Sequence, residues 1–251
     1  MATRFDVTTM RSSPGSATRG VRRIALGAWL GPVARAVVVL TATLALTSCV
    51  RVYYADPIKA RVVDAATGAP VEGVNVLAAW QAKGGLEGGN ITGYVKVMED
   101  VTNANGEFSF PGWGPKVWMN GGIRDGAPLL ILFKPGYDAT LLWERKYGVD
   151  FAPSHMSSSW EGREIPLKKF VGAVGDYSVR LAELQIYTGS IVRDGRCAWR
   201  SMPRFLWAID QQHREFVAAK APVRLYGLAY LNDLADRSCG SLEKSVVEQG
   251  R

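Results

Sequence analysis

Histidine and cysteine are scarce in this chain, two of one and three of the other in 251 residues. With so few soft donors there is no CxxC pair, no HExxH helix and no cysteine–histidine run at zinc spacing. The G-x-x-x-x-G-K-[ST] phosphate cradle, the G-x-S-x-G nucleophile elbow and the EF-hand loop are missing too. Nor does any stretch between charges reach the roughly 20 apolar residues that a typical membrane-crossing helix needs. Hydrophobic residues make up 47% and charged ones 21%, with 27 Gly. That is too apolar for a disordered chain and too charged for a polytopic membrane protein.

The net charge of +7 has the sign of a nucleic-acid binder but the wrong distribution. Residues 1–48 hold Arg4, Arg11, Arg19, Arg22, Arg23 and Arg35 against Asp6 alone. The rest of the chain is close to neutral, its adjacent basic residues limited to the pairs Arg145-Lys146 and Lys168-Lys169. Binding to phosphate by counterion release needs a basic face, so nucleic acid is not the expected partner.

The arginines precede residues 36–48, AVVVLTATLALTS, thirteen positions without a charge. That length suits the hydrophobic region of a secretory signal. The stretch ends Leu46-Thr47-Ser48-Cys49, which resembles the bacterial lipobox. The resemblance implies a diacylglyceryl group on Cys49, cleavage before it, and acylation of the new amine. Two or more acyl chains give lasting attachment where one gives only marginal binding. Val50, not Asp, follows, and by resemblance to the sorting rule of Gram-negative lipoproteins this implies the outer membrane, facing the periplasm. An ordinary signal peptide, or a signal anchor extended back to Ile24, is the alternative. The leader is long, which fits either a start at Met10 or an extended basic region. Arg22-Arg23 loosely resembles a twin-arginine export signal.

Cys197 and Cys239 remain after cleavage, and two thiols in an oxidising compartment are expected to pair. Zinc is the competing reading, without ligand spacing in its favour.

Residues 57–168 read as short strands and turns. Ile58, Ala60 and Val62 alternate with Lys59 and Arg61, as do Val74, Val76, Ala78 and Trp80 with their neighbours, the period of a half-buried strand. Residues 82–93 read as a Gly-rich loop. Tyr94 to Val101 follows as a strand with Val95, Val97, Glu99 and Val101 on one side. Asn103 to Gly106 turns into strand 107–110. Leu129 to Phe133 is a continuous apolar run, expected as a strand buried on both faces. Strands at 138–143 and 164–167 complete about seven, which indicates two packed antiparallel sheets.

Three segments, ARVVDAATGAPVEGVNVLA, TNANGEFSF and LFKPGY, resemble the carboxypeptidase regulatory-like domain. Asp64, Thr67, Gly68, Pro70, Gly73 and Val76 match its first motif, and Thr102, Gly106 and Phe108 its second, with Asn103 in place of the usual Asp. The resemblance covers roughly 110 residues and implies a transthyretin-like β-sandwich. Its motifs are turn chemistry, which speaks for fold and not for activity. In that family the module presents or accompanies other functions.

Residues 169–251 read as helical. Asp176 is placed to cap a helix bearing Tyr177, Leu181 and Leu184 that ends near Gly189. A second begins around Ser201 with Pro203 in its first turn, carries Met202, Phe205, Leu206, Ile209, Phe216 and Val217 on one stripe, and is stopped by Pro222. Leu225, Leu228, Leu231 and Leu234 suggest a short third. Such a small unit is expected to dock on the sandwich and to need a staple.

No catalytic constellation emerges. His213 falls on the apolar stripe and reads as a satisfied core histidine. His155 lies in a polar loop read as exposed, where a serine nucleophile would need a base and an orienting acid and no G-x-S-x-G context exists. Glu99 and Asp100 are adjacent on a strand and so point to opposite faces. Trp113 and Trp118, in a Gly/Pro-rich segment read as a loop, are the candidate binding residues, either covering the open end of the core or stacking on a sugar or partner. The expected architecture is mainly β, with 1–48 a lipoprotein signal, 49–56 the lipidated cysteine and tether, 57–168 the sandwich and 169–251 a disulfide-stapled helical segment. The expected role is non-catalytic, without metal or cofactor: a structural or protein-binding module at the membrane, with a carbohydrate or cell-wall binding module as the alternative.

Overall fold

The computed structural model describes residues 31–32, 51–84, 90–118, 122–144 and 154–250. Cys49 and the rest of the signal segment, residues 1–30 and 33–48, lie outside them.

Three sheets organise the described β structure. In the first, β1 (Arg51–Ala55) runs between β10 (His155–Met156) and β6 (Trp113–Trp118). In the second, β2 (Ile58–Asp64) runs between β11 (Glu164–Leu167) and β5 (Glu107–Phe110). The third has the order β4 (Asn90–Val101), β3 (Asn75–Gly84), β8 (Leu129–Phe133), β9 (Thr140–Leu142), with β7 (Gly122–Ile123) also on β3. The pairs β1–β10 and β2–β11 are parallel, so the first two sheets are mixed, whereas the third is antiparallel throughout as the short strands suggested.

Strands β3 and β8 are the centre of the molecule because both of their faces are covered. Leu77, Ala79, Leu129, Ile131 and Phe133 point to one side, where helices pack. Val76, Ala78, Trp80, Leu130 and Leu132 point to the other, against Tyr53, Ile58, Val62, Phe108 and Phe110 of the first two sheets. Period-2 alternation splits one continuous apolar run into two cores. Strand β4 breaks that period once. Trp80 pairs with Lys96 and Gln81 with Tyr94, so Val95 bulges. Val95 therefore joins the sandwich core while Val97 faces the helices, and the expected single row from Val95 to Val101 does not form.

The turn residues of the two motifs have specific work. The Asp64 carboxylate accepts the backbone N–H of Ala66 (3.0 Å) and Thr67 (3.1 Å) and the Thr67 hydroxyl (3.1 Å). Burial opposes its ionisation, but these bonds and Lys169 hold it below the ordinary carboxylate value. Thr102 accepts from Val74 N–H (2.8 Å) and donates to Val71 C=O (2.7 Å), stitching the chain across the turn. Asn103 substitutes for Asp without loss, its Oδ1 accepting from Asn105 and Glu107 N–H. Gly106 has φ +75°, and a Cβ there would lie 2.3 Å from the Val62 carbonyl. Neither the backbone angle nor the space admits a side chain.

Five helices follow: α1 (Val174–Arg180), α2 (Ala182–Val192), α3 (Pro203–Ala218), α4 (Leu228–Leu234) and α5 (Leu242–Gln249). Asp176 lies within the first turn of α1 and does not cap it. Helix α2 runs past Gly189 to Val192. Met202, Phe205, Leu206, Ile209 and Phe216 are buried as their spacing suggested, but Val217 is 54% exposed. Helix α5 lies beyond the three helices expected from the spacing. Cys197 and Cys239 form a disulfide, their Cα atoms 5.5 Å apart. The helices share one core with the β3–β8 face, so residues 48–251 cohere as one compact unit and packing continues across residue 168.

Candidate binding surface at the β1–β6 edge

Residues 51–55, expected as the end of a tether, are strand β1, and the segment of Trp113 and Trp118, expected as a loop, is strand β6. Register explains both. Arg51 pairs with Trp118, Val52 with Val117, Tyr53 with Lys116 and Ala55 with Trp113. Gly and Pro mislead here because β6 is an edge strand, where Pro115 needs no ladder donor. Gly114 lies so close to β1 that a Cβ would sit 2.8 Å from the Tyr53 carbonyl, with φ at +129°.

The two indoles are separated in role. Trp113 is half-buried and meets Trp80 edge to face, ring centroids 5.4 Å apart. Trp118 is half-buried at the far end of β6 and carries the Arg196 guanidinium 4.5 Å from its centroid. Both pack on the sandwich core.

Around Trp118 gather cations that are far apart in sequence. Lys116 bonds the Val95 carbonyl. Burial pushes its ammonium down, and repulsion from Lys96 and Arg196 adds to this. Arg196 reaches from the loop after α2 to the Thr92 carbonyl (3.3 Å) and pairs with Asp194 at 3.0 Å. The Arg196 side chain is 43% exposed and that of Asp194 6% exposed, so the positive end faces outward. No short spacing in the sequence signals this cluster, because β4, β6 and the post-α2 loop each contribute one cation.

The other residues singled out from the sequence lie apart from it. His155 is in strand β10, exposed, with Nε2 2.7 Å from Asp56 Oδ1. His213 Nδ1 is 2.8 Å from the Leu225 carbonyl. The serines beside His155 do have an acid: Glu144 accepts the hydroxyls of Ser158 and Ser159 and the Ser159 N–H. That carboxylate is 6% exposed and staples the segment to the end of β9. Glu99 and Asp100 diverge, Glu99 towards the start of α3 and Asp100 towards the Ser109 N–H. A groove of about 700 Å³ crosses the second sheet between Arg61, Asp100, Glu107 and Arg163, its charges partly paired by Arg61–Glu164 at 3.0 Å. Among the described residues no three His, Cys, Asp or Glu side chains converge to hold a metal. Among the same residues no helix is long and apolar enough to cross a membrane.

No family model matches the chain, and no curated protein matches it. Among solved structures, 3-chlorocatechol 1,2-dioxygenase from Rhodococcus opacus 1CP aligns at 19% identity with a TM-score of 0.27, covering 47% of this chain and 60% of that one. A 9R-lipoxygenase from Cyanothece PCC8801 aligns at 14% identity with a TM-score of 0.25, covering 72% and 31%. The chain thus spans less than two thirds of either protein, and at these scores neither carries an argument about fold or activity.

Proposed function

We propose that this chain is a lipid-anchored envelope protein whose folded part is a non-catalytic structural or protein-binding module held at the outer membrane, facing the periplasm. The observation that carries the reading is Leu46-Thr47-Ser48-Cys49 at the end of a thirteen-residue apolar stretch, with strand β1 beginning at Arg51, two residues later. The acyl chains on Cys49 supply the membrane affinity. The sandwich is of the transthyretin-like, carboxypeptidase regulatory-like kind. In support, Asp64, Thr67, Thr102, Asn103 and Gly106 each perform a turn function that their motif positions require.

Glycan binding through Trp113 and Trp118 needs two open indole faces. Trp113 packs on Trp80 and Trp118 lies beneath Arg196, an arrangement that favours the protein-binding reading. The experiment is fractionation of cells producing Cys49→Ala. The variant moves to the soluble fraction if Cys49 is the anchor, and unchanged membrane partition overturns the reading. Crosslinking of the membrane-bound protein followed by mass spectrometry identifies the partner.

A further inference from the structure

If Cys49 carries the acyl chains, almost nothing separates the bilayer from the fold. Two residues, fully extended, reach about 7 Å, about the depth of one headgroup layer. The N-terminal end of β1 must therefore sit in or on the headgroups. What the fold places at that end is specific: Arg51, Trp118 and Lys116 on one face of the β1–β6 pair, and Val117, which is 56% exposed, on the other. Arg196 stacks on Trp118, and Lys96 and Arg196 are close enough to repel the Lys116 ammonium. An indole and an aliphatic side chain among cations is the composition of a membrane-interface contact.

Resting on the lipoprotein reading above, we propose that the β1–β6 edge around Val117 and Trp118 lies on the bilayer and binds anionic phospholipid through Arg51, Lys96, Lys116 and Arg196. Each such cation near an anionic surface contributes a favourable, salt-screened attraction. The anchor then fixes orientation as well as location, because the lipid and the cationic edge hold the same end of the molecule. The face opposite that edge is left for a partner.

The test uses the full acylated protein in vesicles of phosphatidylethanolamine with and without phosphatidylglycerol. An environment-sensitive fluorophore is attached at Val117→Cys or, as control, at Val171→Cys, a position 92% exposed and outside the edge. The Val117 label shifts to the blue in vesicles and is quenched by brominated lipid about threefold more than the Val171 label, the excess growing with phosphatidylglycerol and shrinking in Lys96→Gln/Lys116→Gln. The mass of the N-terminal peptide separates the two ways of failing. An unacylated Cys49 removes the anchor and this placement with it. An acylated Cys49 with both labels equally exposed to water removes the placement alone.

Discussion

The carboxylate of Glu99, near the end of β4, accepts the backbone N–H of Phe205 at 2.9 Å and that of Arg204 at 3.1 Å. These are the first free donors of α3, because Pro203 at its start has none and Met202, the residue before it, offers no side-chain cap. A strand more than 100 residues away thus supplies the cap, and its negative charge suits the positive end of the helix.

Glu99→Ala leaves both donors without their partner and lowers stability by about 1–2 kcal/mol in chemical denaturation. The pH dependence has a definite sign. Burial raises the Glu99 carboxyl above its ordinary value, against the bonds from Phe205 and Arg204. The native state therefore holds its proton longer than the unfolded chain. Its contribution is full below the ordinary Glu value and declines as pH rises through the raised one. Glu99→Gln keeps an acceptor and removes that decline.

Tyr177 ties α1 to the turn after β8: its hydroxyl accepts from Gly136 N–H (2.9 Å) and donates to the Tyr137 carbonyl (2.9 Å). Burial pushes its phenol up to about 12. The contribution of the neutral phenol is complete below the ordinary tyrosine value and is lost as pH rises from there towards 12. Ultraviolet titration finds Tyr177 among the last tyrosines to ionise, and Tyr177→Phe costs about 1 kcal/mol at neutral pH.

The Cys197–Cys239 bond closes a sequence separation of 42, worth about 4 kcal/mol on the chain-entropy model. Cys197→Ser/Cys239→Ser lowers the unfolding midpoint, and in hydrogen exchange the region from Cys197 to α5 loses protection before β3 and β8. Uniform loss across the chain contradicts this division.

Trp113 contributes packing. Trp113→Ala removes the edge-to-face partner of the buried Trp80 and costs about 2 kcal/mol, whereas Trp113→Phe costs less. Titration with cell-wall glycans leaves tryptophan fluorescence unchanged in the wild type. Saturable quenching that Trp113→Phe or Trp118→Phe abolishes restores the glycan reading.

Periodicity made β2, β5, β8 and β11 legible almost to the residue, since each alternates or runs apolar between turn residues. It failed where long-range pairing overrode local chemistry. Nothing local marks Arg51–Ala55 as a strand until Trp113–Trp118 lies beside it. Gly114 and Pro115 read as loop although the edge position tolerates them. The Val95 bulge reverses a face without any sign in the residues themselves. The cation cluster of Lys96, Lys116 and Arg196 and the Glu99 cap are products of tertiary approach. The disulfide was legible once Cys49 was read as a lipidation site, since the two cysteines left over offer one pairing.

The most direct measurement is the intact mass of the mature N-terminal peptide from membranes. The account predicts a chain that begins at Cys49 and carries a diacylglyceryl group and an amide-linked acyl chain. A mature chain that starts upstream of Cys49, or one with an unmodified thiol there, contradicts it.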